Sequence, residues 1–164
     1  MRPPPGPCAA TPPDQPLVEC IILNFGRPAA TLACLASLAA GDYANYQALV
    51  LDVDSGDALA GPLRARFPKA THQRLANNQG YAGNNNVALR QAAAGPAEWL
   101  LLLNDDTTLA HDCLSRLIAV GKTAPEAGLL GPMIYHAAEA DIIQSAGGQL
   151  DGQWAAIHVG RNSR

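Results

Sequence analysis

The chain has 164 residues, of which 48% are hydrophobic and 15% charged, with a formal net charge of −3. That mixture fits one globular domain with a sizeable core and excludes a disordered chain. The slight negative charge offers nothing to a phosphate backbone, so no nucleic-acid partner is expected.

Seven of the 13 prolines fall within residues 1–16. Proline lacks the donor that helices and ladders need, so a disordered, proline-rich tail is expected over 1–16 and a folded domain over 17–164. No apolar stretch follows Arg2, so no signal peptide is read. The longest strongly apolar run, residues 99–103, is far short of the roughly 20 residues that span a bilayer. Cys8, Cys20, Cys34 and Cys113 form no CxxC pair. A reducing, cytoplasmic setting suits them.

From Leu17 onward, apolar runs alternate with helical patterns. Residues 18–23 form a first predicted strand, ending in the polar turn Asn24-Phe25-Gly26-Arg27. Pro28 opens a helix that Gly41 closes. Residues 46–51 form a second strand, ending at Asp52. Leu59, Leu63 and Phe67 recur every four residues, as on one helix face. Residues 72–75 are a weak third strand, and residues 81–94 a helix with an asparagine-rich first turn. Residues 99–103 form a fourth strand without a polar residue, as expected when both faces are covered. Leu114, Leu117, Ile118 and Gly121 mark another helix. Residues 129–135 are a fifth strand; residues 142–151 and 153–159 are short strands about the Gly147-Gly148 turn. Strand–helix alternation with short linkers predicts an α/β fold, a mostly parallel sheet flanked by helices.

In open α/β sheets, ligands bind beyond the carboxyl ends of the strands. The first strand ends in Asn24 and Arg27, the second in Asp52, Asp54, Ser55 and Asp57, and the fourth in Asn104, Asp105 and Asp106. If the first and fourth strands are neighbours, these groups converge on one crevice. Hard oxygen ligands after a buried strand suit Mg²⁺ or Mn²⁺, although the same three residues could simply turn the chain and cap the next helix. The acidic loop after Asp52 could accept hydrogen bonds from a ribose or a base imide, but taken alone it reads first as an ordinary Asp/Ser/Gly turn. Residues 77–86 carry six amide side chains and two glycines. Asparagine is a poor interior helix residue, so this helix start is expected to face a ligand. His72, His111, His136 and His158 lack zinc-like spacing and read as surface or packing residues. No GxGxxG, no GxxxxGK[ST] and no nucleophile-elbow motif occurs.

Taken in order, these segments resemble the family 2 glycosyltransferases of GT-A fold, and among them the bacterial rhamnosyltransferase-like members. The resemblance is carried by Val18-Glu19-Cys20-Ile21-Ile22-Leu23-Asn24-Phe25, Val50-Leu51-Asp52, Asn78-Gln79-Gly80-Tyr81-Ala82-Gly83-Asn84-Asn85-Asn86, Leu101-Leu102-Leu103-Asn104-Asp105-Asp106-Thr107, Gly131-Pro132 and Ser145-Ala146-Gly147-Gly148. It implies that Asp52 contacts the nucleotide base and that Asn24 and Phe25 pass close to it. It implies that Asp106 ligates Mg²⁺ or Mn²⁺, with Asn104 and Asp105 nearby. It implies that Gly80, Gly83, Asn85 and Asn86 line the pocket of a nucleoside-diphosphate sugar, dTDP- or UDP-linked. The implied reaction is inverting transfer of a hexosyl or rhamnosyl group to a polysaccharide or lipid-linked acceptor. The implied location is the cytoplasm, including the inner face of the cytoplasmic membrane.

Four positions depart from the family pattern: Gly26 and Val53 replace asparagines, Asn84 replaces a glycine, and Ala88 replaces another. Family members also continue into an acceptor-binding half, which supplies the carboxylate base. No residue here is identified with that base, so an incomplete, donor-binding part is expected. Two other readings are a truncated, non-catalytic nucleotide-binding remnant and a plain α/β interaction domain.

Overall fold

A computed structural model describes residues 15–153 and 155–164. The tail expected over 1–16 therefore lies outside the described residues, except for its last two. Those two are anchored: Gln15 Oε1 accepts the Ala44 N–H at 3.0 Å, and the Pro16 carbonyl accepts the Tyr43 hydroxyl at 2.6 Å. Among the described residues, no helix is long and apolar enough to cross a membrane.

The chain divides into two compact units, Met1–Asp112 and Cys113–Arg164. The first unit runs β1 (Val18–Asn24), α1 (Pro28–Ala39), β2 (Tyr46–Asp52), α2 (Ala60–Arg66), β3 (Ala70–Arg74), α3 (Gly80–Ala93) and β4 (Trp99–Asn104). Its four strands form one parallel sheet in the order β3-β2-β1-β4. The chain thus steps outward from β1 to β3, then returns to the other side of β1. That reversal leaves a crevice between the carboxyl ends of β1 and β4.

Side chains alternate across each strand. Ile21, Leu23 and Leu51 pack with Ala88 and Ala92 of α3 in one buried cluster. The opposite face of β1 carries Cys20, Ile22 and Asn24 toward α1, whose Thr31 reaches Asn24. Burial pushes the Cys20 thiol up to about 12 and the Cys34 thiol to about 11, with help from nearby acidic groups. Leu59, Leu63 and Phe67 are all buried, as the four-residue spacing predicts.

Strand β4 differs from its sequence reading. Leu100 and Leu102 are 38% and 44% exposed, while Leu103 is buried. Among the described residues, the β4 face carrying Leu101 and Leu103 is the better covered one, and the face carrying Leu100 and Leu102 is open.

Helix α3 is shaped by two glycines. Gly80 has φ +73°, a conformation that a side chain disfavours. At Gly83 a Cβ would stand 2.6 Å from the Gln79 Cβ. Gly83→Ala is therefore expected to lower stability by about 1–3 kcal/mol, despite alanine's better helix propensity. Urea denaturation followed by circular dichroism measures this; an unchanged midpoint would contradict it.

The second unit contains α4 (Cys113–Thr123), β5 (Ile134–His136), β6 (Glu139–Ser145), β7 (Gly148–Leu150) and β8 (Ala156–His158). Strands β5 and β6 pair antiparallel, as do β7 and β8. The strand expected over 129–135 shrinks to the three residues of β5. Leu129 is exposed, Gly131 weakens a strand, and Pro132 cannot donate to a ladder. The strand expected over 142–151 is broken at Gly147, which has φ +116°. Ser145 Oγ braces that turn by donating to the Gly147 carbonyl at 3.1 Å.

Candidate functional site

The site lies wholly in the first unit and is built outward from β1. Asn24, fully buried, uses both ends of its amide. Its Nδ2 donates to Asp52 Oδ1 at 2.9 Å. Its Oδ1 accepts the Thr31 hydroxyl at 2.8 Å and the Arg27 backbone N–H at 3.2 Å. The amide nitrogen donates to the carboxylate while the amide oxygen, with two lone pairs, accepts from the hydroxyl and the backbone N–H together. Asn24 thereby ties β1 to β2 and fixes the turn that carries Phe25 and Arg27 to the start of α1.

Asp52 is the anionic centre of this cluster. Asn24 and Asp52 are register partners at the strand ends, so their side chains share a face. His72 on β3 sits on that face too, its Nε2 2.9 Å from Asp52 Oδ2. The Ser55 N–H and hydroxyl complete the set. Burial raises the Asp52 pKa, but the bonds from Ser55, His72 and Asn24, together with the His72 charge, outweigh it. The carboxyl is held below its ordinary value.

The strand order brings the first and fourth strands together. Leu23 pairs with Asn104, so the β4 end lies beside the β1 end. A cavity of about 300 Å³ opens there, at the small end for ligand pockets. Leu23, Phe25 and Arg27 line it from the β1 side, and Asn104, Asp105 and Asp106 from the β4 side. Tyr81 and Asn84 of α3 close it, the Tyr81 hydroxyl donating to Asn104 Oδ1 at 3.1 Å.

Arg27 spans both carboxylates. One guanidinium nitrogen meets Asp105 Oδ1 in a short contact, and the other meets Asp106 Oδ2 at 3.0 Å. The hydrogen bond to Asp106 and the charge of Asp105 raise the Arg27 pKa further above its already high value. Asp106 and Arg27 are about half exposed, whereas Asp105 is only 2% exposed. Asp105 Oδ2 is buried and makes no hydrogen bond among the described residues. A buried carboxylate oxygen left unpaired is costly, and it is a ready ligand for a cation.

The remaining residues implicated by sequence fall outside the cavity lining. Asn24 and Asp52 form the buried floor behind it. Asn85 is buried and donates to the Tyr81 carbonyl at 2.9 Å. Asn86 is exposed on the helix surface. Gly80 and Gly83 serve the helix start, as described above. The asparagine-rich segment works largely on itself: Asn84 Nδ2 donates to Asn78 Oδ1, and Asn84 Oδ1 accepts the Gln79 N–H.

Sequence reasoning leaves out three participants: Asn84, Thr31 and His72. Asn84 faces the cavity where Asn85 and Asn86 were expected. Arg27, by contrast, stands among the strand-end groups expected at the crevice, and it lines the cavity there. Thr31 gave no signal beyond helix membership. His72 was read as a surface or packing residue, yet it bonds the central carboxylate. Its place on β3, two positions before the Asp52 register partner Arg74, puts it on the Asp52 face, and that register shows only in the structure.

No group of three or more His, Cys, Asp or Glu poised for a metal occurs among the described residues. Mg²⁺ and Mn²⁺ do not need one. Such ions are commonly held by one or two carboxylates, with substrate phosphates and water filling the other positions. Asp105 and Asp106 meet that requirement, and the unpaired Asp105 oxygen gives it a specific atom.

A parallel sheet with a carboxylate-rimmed crevice at its reversal point is the architecture of nucleotide-binding α/β domains. The chain belongs to glycosyl transferase family 2, whose model matches residues 19–149. Solved structures share the fold. S. aureus TarS 1-349 superposes with a TM-score of 0.58 at 21% identity, over 66% of this chain and 33% of that one. Its complex with UDP-GlcNAc gives a TM-score of 0.58 at 19% identity, over 73% of this chain and 38% of that one. Mannosyltransferase PcManGT from Pyrobaculum calidifontis, in complex with GDP-Man and Mn²⁺, gives a TM-score of 0.56 at 22% identity. That match covers 70% of this chain and 34% of the other. The chain thus spans about a third of the length of the structures it resembles. No curated protein sequence matches it closely enough to count as a relative.

Proposed function

We propose that this chain is the donor-binding part, over 17–164, of a glycosyltransferase using a nucleoside-diphosphate sugar with Mg²⁺ or Mn²⁺. The observation that carries the reading is the crevice between β1 and β4, rimmed by Asn104, Asp105 and Asp106, with one buried carboxylate oxygen unpaired. Family membership over most of the chain supports it.

In this reading Asp106 and Asp105 hold the cation, and Asn104 offers a neutral oxygen beside them. The cation supplies charge neutralisation for the departing diphosphate. Phe25 and Tyr81, both exposed at the crevice, offer ring faces to the nucleoside or sugar. Asp52, kept ionised by its neighbours, is the acceptor for the base imide N–H. It is fully buried, so the Ser55 hydroxyl must give up its bond and the loop after β2 must shift. Asn84, Asn85, Asn86, Gly80 and Gly83 place the α3 start against the sugar diphosphate. The donor is a UDP- or dTDP-sugar, a hexosyl or rhamnosyl compound, and transfer to a glycan or lipid-linked hydroxyl inverts the anomeric carbon.

Calorimetry on the 164-residue chain with UDP and dTDP tests the donor reading. Binding is expected for at least one nucleotide and should strengthen when Mn²⁺ is added. Absence of heat for both nucleotides at millimolar concentration, with and without Mn²⁺, would sink it.

A further inference from the structure

We propose that Arg27 is a tethered counter-ion, competing with the divalent cation for Asp105 and Asp106 and turning to the nucleotide diphosphate when displaced. The proposal deepens the donor-site reading and rests on it for the nucleotide half.

Three observations carry it. First, the guanidinium bridges both carboxylates, so it stands where a cation shared by Asp105 and Asp106 would place its charge. Two carboxylates this close repel each other unless a positive charge sits between them. Second, the pairing is incomplete. Asp105 Oδ2 is buried and unpaired, so the arginine satisfies the pair less fully than a smaller ion could. Third, Arg27 is 53% exposed and lines the same crevice, on a turn that Asn24 holds from behind. Its side chain can leave the carboxylates without unfolding the turn. A guanidinium released beside a cation-bound diphosphate has a bidentate partner at hand, since its planar fork matches phosphate oxygens.

Such a residue affects two ligands in opposite directions. Removing it should tighten binding of the cation alone and weaken binding of the nucleotide in the presence of cation. A purely structural arginine would weaken both.

The test is titration of Mn²⁺ alone, then of UDP in saturating Mn²⁺, into wild type, Arg27→Ala and Arg27→Gln. Mn²⁺ affinity, read by electron paramagnetic resonance of the free ion, is expected to rise about tenfold in both variants, within the usual range of site–site coupling. UDP affinity should fall by about tenfold, a typical loss for a charge-assisted phosphate contact. Equal or weaker Mn²⁺ binding in the folded variants overturns the tether. Absence of UDP binding in wild type overturns the donor site instead, and leaves the Mn²⁺ comparison to decide the tether. Should neither variant fold, wild type decides: the Arg27 Nε–H resonance should shift on saturation with diamagnetic Mg²⁺. A resonance unmoved at saturation overturns the proposal.

Discussion

Asp52→Ala is expected to lower the stability of the chain by about 3 kcal/mol, within the range for breaking a buried polar network. Four donor groups converge on this one carboxylate. Removal leaves the Asn24 amide, the Ser55 N–H and the His72 ring facing an apolar methyl. The loss also reaches the adjoining turn, because the Arg27 N–H and the Thr31 hydroxyl depend on Asn24 keeping its orientation. Chemical denaturation at neutral pH measures the effect. A loss below about 1 kcal/mol would show that the cluster contributes no more than one ordinary hydrogen bond.

The same carboxylate makes the stability depend on pH with a definite sign. Its folded pKa lies below the ordinary carboxylate value. Its contribution is therefore complete above the unfolded pKa, about 3.9, and is lost as pH falls through the lower folded value. Wild type should lose stability progressively below about pH 4. Asp52→Asn, which has no such charge to lose, should start lower at neutral pH and fall less steeply.

Asp106→Ala should behave in the opposite way. The side chain is 54% exposed, so stability should change by no more than about 0.5 kcal/mol. Nucleotide affinity in Mn²⁺, by contrast, should drop at least about 100-fold. Even the groups behind a metal's direct ligands cost roughly 10–100-fold when removed, and a ligand itself costs more. Calorimetry beside a thermal melt separates the two outcomes. Full retention of Mn²⁺-dependent nucleotide binding would remove Asp106 from the site.

Much of this site could be read from the chain before any coordinates. The apolar runs ending in Asn24, Asp52 and Asn104-Asp105-Asp106 set the strand ends correctly. Strand-end polarity then predicts a crevice, conditional on β1 and β4 being neighbours. That pairing joins segments about 80 residues apart and leaves no local trace. Arg27 is legible as a strand-end group, but its pairing with Asp105 and Asp106 is not, since those partners are 78 and 79 positions away. Asn84 was missed through helical phase. One residue turns the helix by about 100°, and a run of three asparagines does not tell which one faces inward. His72 stands on a short strand of mixed polarity, so no pattern distinguished it from a surface histidine. Residues 129–135 misled in the other direction: an apolar run resembles a strand whether or not a partner exists to pair with it. Residues 99–103 differ more subtly, because an unbroken leucine run matches a strand covered on both faces, and composition does not tell whether anything packs over the second face.

The strand order also bears on how the site comes into being during folding. The Asn24–Asp52 contact joins residues 28 apart, within the first strand–helix–strand turn of the fold. The Arg27 contacts close a loop nearly three times longer, and the entropy of closing such a loop is met before its contacts form. The floor can therefore assemble from the first two strands, whereas the crevice exists only after the fourth strand docks against the first. A nucleotide would bind the four-stranded state and ignore the three-stranded one. Its presence would favour the finished sheet by mass action and slow the departure of its last-docked strand.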